Sequence, residues 1–150
     1  MKCNECGGSR FKQVAHEQRY VVDGIVFRVR MRGSACRKCD AGTVAAAELG
    51  AGELTVAVWL AEHAVISGES FRFMRKALLF RANALAELLG VASESISRWE
   101  NAKRGVDRSA WTLLASIVLD RSAGKKTTVE RLRAFKNATP VRADVRLEVP

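Results

Sequence analysis

All four cysteines of the chain sit in two knuckles, Cys3-x-x-Cys6 and Cys36-x-x-Cys39. Two close pairs a few dozen residues apart match the spacing of an all-cysteine zinc site, in which each C-x-x-C bend offers two thiolates to a tetrahedral ion. Gly7 and Gly8 follow Cys6 and let the backbone fold back towards the sulfurs. Four protein ligands leave no open position on the metal. The expected cofactor is therefore one structural Zn2+ per chain, held by Cys3, Cys6, Cys36 and Cys39. A pair of disulfides is the alternative, and it needs an export signal that the sequence lacks. Redox chemistry would need a thioredoxin-like strand–helix context, also missing. His16 and His63 are surplus to this ligand set.

Between the knuckles the sequence reads as a hairpin. Asp23-Gly24 is a favoured two-residue turn, with Tyr20, Val21 and Val22 before it and IVFRVRMR after it. Ile25, Phe27, Val29 and Met31 share one face of the second strand, and Arg28, Arg30 and Arg32 share the other. Three arginines in a row suit nucleic acid or an acidic protein, and equally suit the solvated face of a half-buried sheet. A helical pattern from about Glu53 to His63 should pack on the hairpin and close a zinc domain over residues 1–64. So small a domain would draw much of its stability from the metal.

Val65–Ser70 is short and polar around Gly68 and reads as a linker over residues 65–70. Helical patterns follow over Phe71–Leu79, with Arg72, Arg75 and Lys76 outward, over Ala82–Leu89, and over Ser93–Asn101. Gly90 stands where a helix ends in a left-handed residue, and Ser93 is the expected cap of the next helix. Ile96 and Trp99 point inward there, leaving Ser93, Glu94, Ser97 and Arg98 outside. A short polar helix held by its back face suits insertion into the DNA major groove. Asp107 caps a further helix whose Trp111, Leu114, Ala115 and Val118 form an apolar stripe.

The order Leu89-Gly90-Val91, then Ile96-Ser97-Arg98-Trp99-Glu100-Asn101, carries a resemblance. Residues 72–119 resemble the helix-turn-helix domain of Xre/Cro-type regulators. With the cysteine knuckles, the chain over residues 1–119 resembles the MqsA family of YgiT-type zinc-finger antitoxins. Three positions depart from the pattern. Arg81-Ala82 replaces a Thr-Gln pair, Ala92 replaces a capping Ser, and Ala102 replaces a Gly. The resemblance implies an α+β fold: a zinc-bound hairpin and helix, then an all-α helix-turn-helix domain over 71–120. It also implies double-stranded DNA as partner, read as a palindromic operator by a homodimer. Arg98 would read a guanine, with Ser93, Glu94 and Ser97 beside it on the base edges. Lys76, Arg81, Lys103 and Arg104 would hold phosphates. In that family the helix-turn-helix domain represses its own operon and the zinc domain neutralises an RNA-cleaving toxin.

Residues 121–150 extend beyond the resemblance and hold eight Lys/Arg against three Asp/Glu, so they supply five of the nine net positive charges. Thr127-x-x-Glu130 reads as a capping box opening a helix with Val129, Leu132 and Phe135. Strict alternation over residues 141–149 reads as a strand, pairing either with its own copy across a two-fold axis or with the zinc-domain sheet. A net charge of +9 favours a polyanionic partner. No run of 18 apolar residues marks a membrane span, and MKCNECGGSR lacks a signal-peptide core, so a cytoplasmic location is expected. An enzyme is not expected, for want of a nucleophile–base pair, an open metal site or a Gly-rich phosphate loop. The sequence therefore points to a DNA-binding repressor of the antitoxin kind. The alternatives are a stand-alone zinc-containing Xre-type regulator and an RNA-binding or adaptor protein.

Overall fold

A computed structural model describes residues 1–138, 140 and 146–148. Along the chain come β1 (Phe11–Val22), β2 (Ile25–Cys36) and β3 (Gly42–Thr43). Six helices follow among the described residues: α1 (Ala46–Glu62), α2 (Gly68–Ala77), α3 (Ala82–Leu89), α4 (Ser93–Glu100), α5 (Arg108–Ser122) and α6 (Thr127–Lys136). The fold is α+β, with one antiparallel sheet ordered β1-β2-β3.

The hairpin forms as Asp23-Gly24 dictates. Both turn residues have positive φ, 53° and 74°, the mirror-image geometry that matches strand twist. Pairing runs without a slip from Val22↔Ile25 to Phe11↔Cys36. Ile25, Phe27, Val29 and Met31 face inward and Arg28, Arg30 and Arg32 lie exposed, as the alternation requires.

Helix α1 starts at Ala46, seven residues before the periodic pattern suggests, with Gly50 and Gly52 inside it. Glycine is a poor helix former, so propensity hides this first stretch. Packing explains Gly52: a Cβ there would lie 2.6 Å from Met31 Cε and 3.2 Å from the Tyr20 hydroxyl. The bare backbone lets α1 lie flat on the sheet. Val56 and Leu60 of α1 join Val22, with Tyr20, Phe27, Val29 and Phe73 packed around them. Ala57 and Ala61, on the adjoining face, enter the larger core of Phe71, Met74, Leu85, Ile96, Trp99, Trp111, Leu114 and Val118. One helix thus belongs to both cores.

Gly68, read from sequence as part of a linker, opens α2. Ser67 and Ser70 cap it reciprocally, Ser70 N–H to Ser67 Oγ at 3.0 Å and Ser67 N–H to Ser70 Oγ at 3.2 Å. A Cβ on Gly68 would come within 2.0 Å of the Trp99 carbonyl oxygen, so this glycine marks a helix crossing, not a flexible joint. Ser70 is fully buried; its hydroxyl donates to the Val65 carbonyl and accepts from the Trp111 indole N–H at 3.4 Å.

Helices α1 to α5 all stop in one way. A left-handed residue follows each: Ala64 (φ 49°), Leu79 (61°), Gly90 (69°), Ala102 (54°) and Gly124 (68°). The next N–H reaches back five residues, from Val65 to Leu60, Phe80 to Arg75, Val91 to Ala86, Lys103 to Arg98 and Lys125 to Asp120. These are Schellman closures, and only two of the five use glycine.

Two expected caps are corrected. Ala92 is the N-cap of α4 and Ser93 already lies inside the helix, so no side chain caps it. The expected Thr127 capping box is absent as well. Lys126 is the N-cap of α6, and the Asp120 carboxylate accepts the Thr128 N–H at 2.7 Å across the α5–α6 turn. Asp107 does cap α5, accepting from Ala110 N–H at 2.9 Å. The strand expected over 141–149 lies largely outside the described residues.

Candidate functional site

The hairpin register brings the knuckles together. Cys36 ends β2 opposite Phe11, so the strands deliver it to the bend carrying Cys3 and Cys6. Each knuckle closes on itself through paired backbone bonds. Cys3 N–H donates to Gly8 O at 2.8 Å and Gly7 N–H to Cys3 O at 2.8 Å; Cys36 N–H donates to Ala41 O at 2.9 Å and Asp40 N–H to Cys36 O at 2.9 Å. Left-handed residues, Gly7 (φ 69°) and Asp40 (φ 57°), follow each second cysteine. Gly8 must be bare, because a Cβ would sit 3.1 Å from Cys36 Sγ and 3.3 Å from Cys6 Sγ.

All four Sγ atoms lie within 4.8 Å of one another, with Cys3–Cys39 and Cys6–Cys36 at 3.6 Å. A tetrahedral ion with metal–sulfur bonds of about 2.3 Å sets sulfurs about 3.8 Å apart. A disulfide would need about 2.05 Å. The cluster therefore fits a metal ion, and the four cysteines are free thiols. N–H groups of Lys38 and then Cys39, with hydrogen bonds from the Cys6 and Cys39 sulfurs, outweigh burial and draw the Cys36 thiol down to about 7. At Cys39 the Ala41 N–H also favours the thiolate. Proton sharing with Cys6, burial, and the Cys3 and Cys36 sulfurs outweigh it, and the thiol is pushed up to about 12. Four sulfurs this close cannot all ionise without a cation between them, and a divalent ion removes that conflict.

The second constellation surrounds α4. Ile96 and Trp99 are buried, while Ser93, Glu94, Ser97 and Arg98 are exposed along one face, as the spacing predicts. Glu94 lies in the first turn of a helix that no side chain caps, where a carboxylate is favoured by the backbone dipoles. The Asn101 amide donates to Ser97 O at 2.8 Å and approaches Ser97 Oγ at 3.4 Å, so Asn101 shares the polar face with Ser97. Lys103 and Arg104 are tied to the end of α4, both N–H groups reaching the Arg98 carbonyl, at 2.9 and 3.2 Å. Arg81 is the N-cap of α3 and Lys76 lies on α2; both are exposed. None of Lys76, Arg81, Arg98, Lys103 and Arg104 enters an ion pair among the described residues. The hairpin arginines differ. Arg28 pairs with Glu17 at 3.1 Å and Arg32 with Glu48 at 2.8 Å, which leaves Arg30 as the one of the three without a carboxylate partner among the described residues.

One residue expected outside is buried. The Arg75 guanidinium donates to both Glu100 carboxylate oxygens, at 2.6 and 2.8 Å, and to the Phe80 carbonyl at 2.8 Å. Its spacing on α2 suggested the wet face. The Glu100 carboxylate at the end of α4 supplies the partner that lets the charge stay inside. This fork fixes α4 against α2 and against the turn into α3. The sequence names Glu100 only as part of a motif, and nothing local links it to Arg75.

No helix among the described residues is long and apolar enough to cross a membrane. No protein-family model, curated protein or solved structure matches the chain.

Proposed function

We propose that the chain is a sequence-specific, homodimeric DNA-binding repressor, with α3 and α4 as a helix-turn-helix and α4 as the reading helix. The observation that carries the reading is the split of α4 into a buried Ile96–Trp99 back and an exposed Ser93, Glu94, Ser97 and Arg98 front. Lys103 and Arg104 are tied to the end of α4, and with Lys76 and Arg81 they enter no ion pair among the described residues. A helix so anchored presents side chains to the major groove without reordering, and the exposed cations that follow it suit phosphates. In this reading Arg98 donates both prongs to a guanine, Glu94 accepts from a cytosine amino group, and Ser93 and Ser97 contact neighbouring edges. Lys76, Arg81, Lys103 and Arg104 hold the backbone. Cys3, Cys6, Cys36 and Cys39 bind one structural Zn2+, which leaves no coordination site for catalysis.

Binding to the DNA upstream of its own gene tests this. Arg98→Ala should weaken binding to that duplex by roughly 5-fold to 150-fold, the about 1–3 kcal/mol of one bidentate base contact, and should lower its preference over a scrambled duplex. Arg30→Ala should leave both unchanged. Equal losses for the two variants would refute the assignment of α4 as the reading helix. The finer proposal, an antitoxin whose zinc end neutralises an RNA-cleaving toxin, rests on the family resemblance. Co-purification of the product of the adjacent reading frame, lost when the hairpin is altered and kept in Arg98→Ala, is its test.

A further inference from the structure

Three cations lie outside the α4 constellation and stand together beside the start of α3. Arg121 lies in the last turn of α5, and Lys125 and Lys126 form the turn into α6. With Gly124 they rim a cleft of about 270 Å³ whose floor is Leu78, Phe80 and Ile117. All three cations are exposed, and none is in an ion pair among the described residues. Their aliphatic stems can lie on that apolar floor while the charged ends stay in water.

The platform is held in place from two sides. Gly124 in its left-handed conformation closes α5, with Lys125 N–H on the Asp120 carbonyl at 2.7 Å. The Asp120 carboxylate accepts the Thr128 N–H at 2.7 Å, and that bond, with the nearby charges of Lys125 and Arg131, holds its carboxyl below the usual range. Lys136, at the other end of α6, pairs with Glu87 on the outer face of α3. The start of the basic extension is thus docked along α3, not trailing free. Phe80, on the floor of the cleft, immediately precedes the exposed Arg81 that caps α3. Arg121, Lys125 and Lys126, from the end of α5 and the turn into α6, thus share a cleft with the residue that precedes Arg81 in the chain.

We propose that Arg121, Lys125 and Lys126 extend Arg81 into a second phosphate-binding strip that grips the DNA backbone flanking the segment read by α4. The proposal rests on the DNA-binding reading above. A row of exposed cations on a fixed turn beside a helix start matches the repeating charge of a duplex backbone, and it carries no base-reading groups. Its contribution is to affinity and salt dependence, not to sequence choice.

The test uses the full-length, metal-loaded chain and fluorescence anisotropy on the upstream duplex and a scrambled duplex, at salt from about 50 to 200 mM. Each phosphate contact adds about 0.9 to the slope of log affinity against log salt. The triple variant Arg121→Gln/Lys125→Gln/Lys126→Gln should lower that slope by about 2 to 3, and should weaken both duplexes by the same factor, at least about tenfold at 0.1 M salt. The Arg98→Ala variant should instead lower the ratio between the two duplexes. If the wild-type chain shows no preference for its upstream duplex, the DNA reading itself is wrong. If the wild type binds and the triple variant keeps its slope and affinity, the strip is not a phosphate site. Binding of a Glu-rich peptide that is lost in the triple variant, with DNA slope intact, would reassign the strip to an acidic protein. An unchanged thermal midpoint of the triple variant shows that the fold survives, since all three side chains are exposed.

Discussion

Three helix ends are strained, and their relief is measurable. Ala64, Leu79 and Ala102 hold φ of 49°, 61° and 54°, where a Cβ crowds the following carbonyl at a cost of roughly 1–2 kcal/mol each. Glycine removes that cost but brings back about 0.5–1 kcal/mol of backbone entropy in the unfolded chain. Little packing is lost in exchange, because all three positions are exposed, Leu79 at 83%. The net gain is about 0.5–1 kcal/mol per site, and the sites close separate helices, so the gains should nearly add. Ala64→Gly/Leu79→Gly/Ala102→Gly should therefore be about 2 kcal/mol more stable, which for a chain of this size raises the thermal midpoint by roughly 4–8 °C. The measurement is thermal unfolding by circular dichroism with the metal loaded. The mirror controls Gly90→Ala and Gly124→Ala should each lose about 1 kcal/mol. A triple variant that melts below the wild type would refute the argument that these closures are strained.

Gly68→Ala should be far more damaging than Gly105→Ala, since its Cβ would fall 2.0 Å from a backbone oxygen whereas Gly105 faces open space. Expression yield and melting temperature of the two variants decide it. Arg75→Met should cost about 3–5 kcal/mol by leaving the Glu100 carboxylate buried without its partner, and Arg75→Met/Glu100→Leu should regain much of that loss in denaturant titrations. Cobalt added to the metal-free chain should give the intense absorption of tetrahedral thiolate coordination. Uptake should weaken progressively as pH falls, because the raised Cys39 thiol must lose its proton to bind, and more steeply below about 7, where Cys36 also takes one up. Cys36→Ser should weaken uptake and lower the thiolate absorption.

What was legible in the sequence shares one property: the signal sits within a few residues of the feature it fixes. Asp23-Gly24 sets the turn and the register, the alternation from Ile25 to Arg32 sets the strand faces, and Gly90 ends α3. The C-x-x-C spacing brought together the four sulfurs that now lie within 4.8 Å. The exposed side of α4 followed from Ile96 and Trp99 alone. The misses depend on partners far along the chain. The helical pattern reads only from Glu53, and Gly68 as part of a linker, because the reasons for Gly52 and Gly68, Met31 and the Trp99 carbonyl, lie 21 and 31 residues away. Arg75 read as a surface charge because Glu100 is 25 residues on. Thr127 and Ser93 looked like caps because their hydroxyls suit the role. At both sites the helix begins a residue earlier, so each hydroxyl already lies inside it. Closures at Ala64, Leu79 and Ala102 carry no glycine, so composition gave no sign of them.

The two ends of the molecule are joined through α1, and this shapes what the metal can control. The cysteines lie at the open end of the hairpin, where Phe11 faces Cys36. The apolar contact with the helices lies at the other end, where Val22 and Tyr20 meet Val56, Leu60 and Phe73. Edge-on contact of Tyr20 with Phe73 at 6.0 Å ties that end directly to α2. Between them Gly52 lets α1 rest on Met31, halfway along β2. A metal at the sulfurs therefore fixes the knuckles and the strand ends. The clamp on α1, and through Ala57 and Ala61 the packing behind α4, is made of side chains that the metal does not touch. Within the proposed function, the surface around the knuckles can bind or release a protein partner with little effect on α4. Signals from that end reach the proposed DNA-reading face only if they shift α1 or the Tyr20–Phe73 contact with α2.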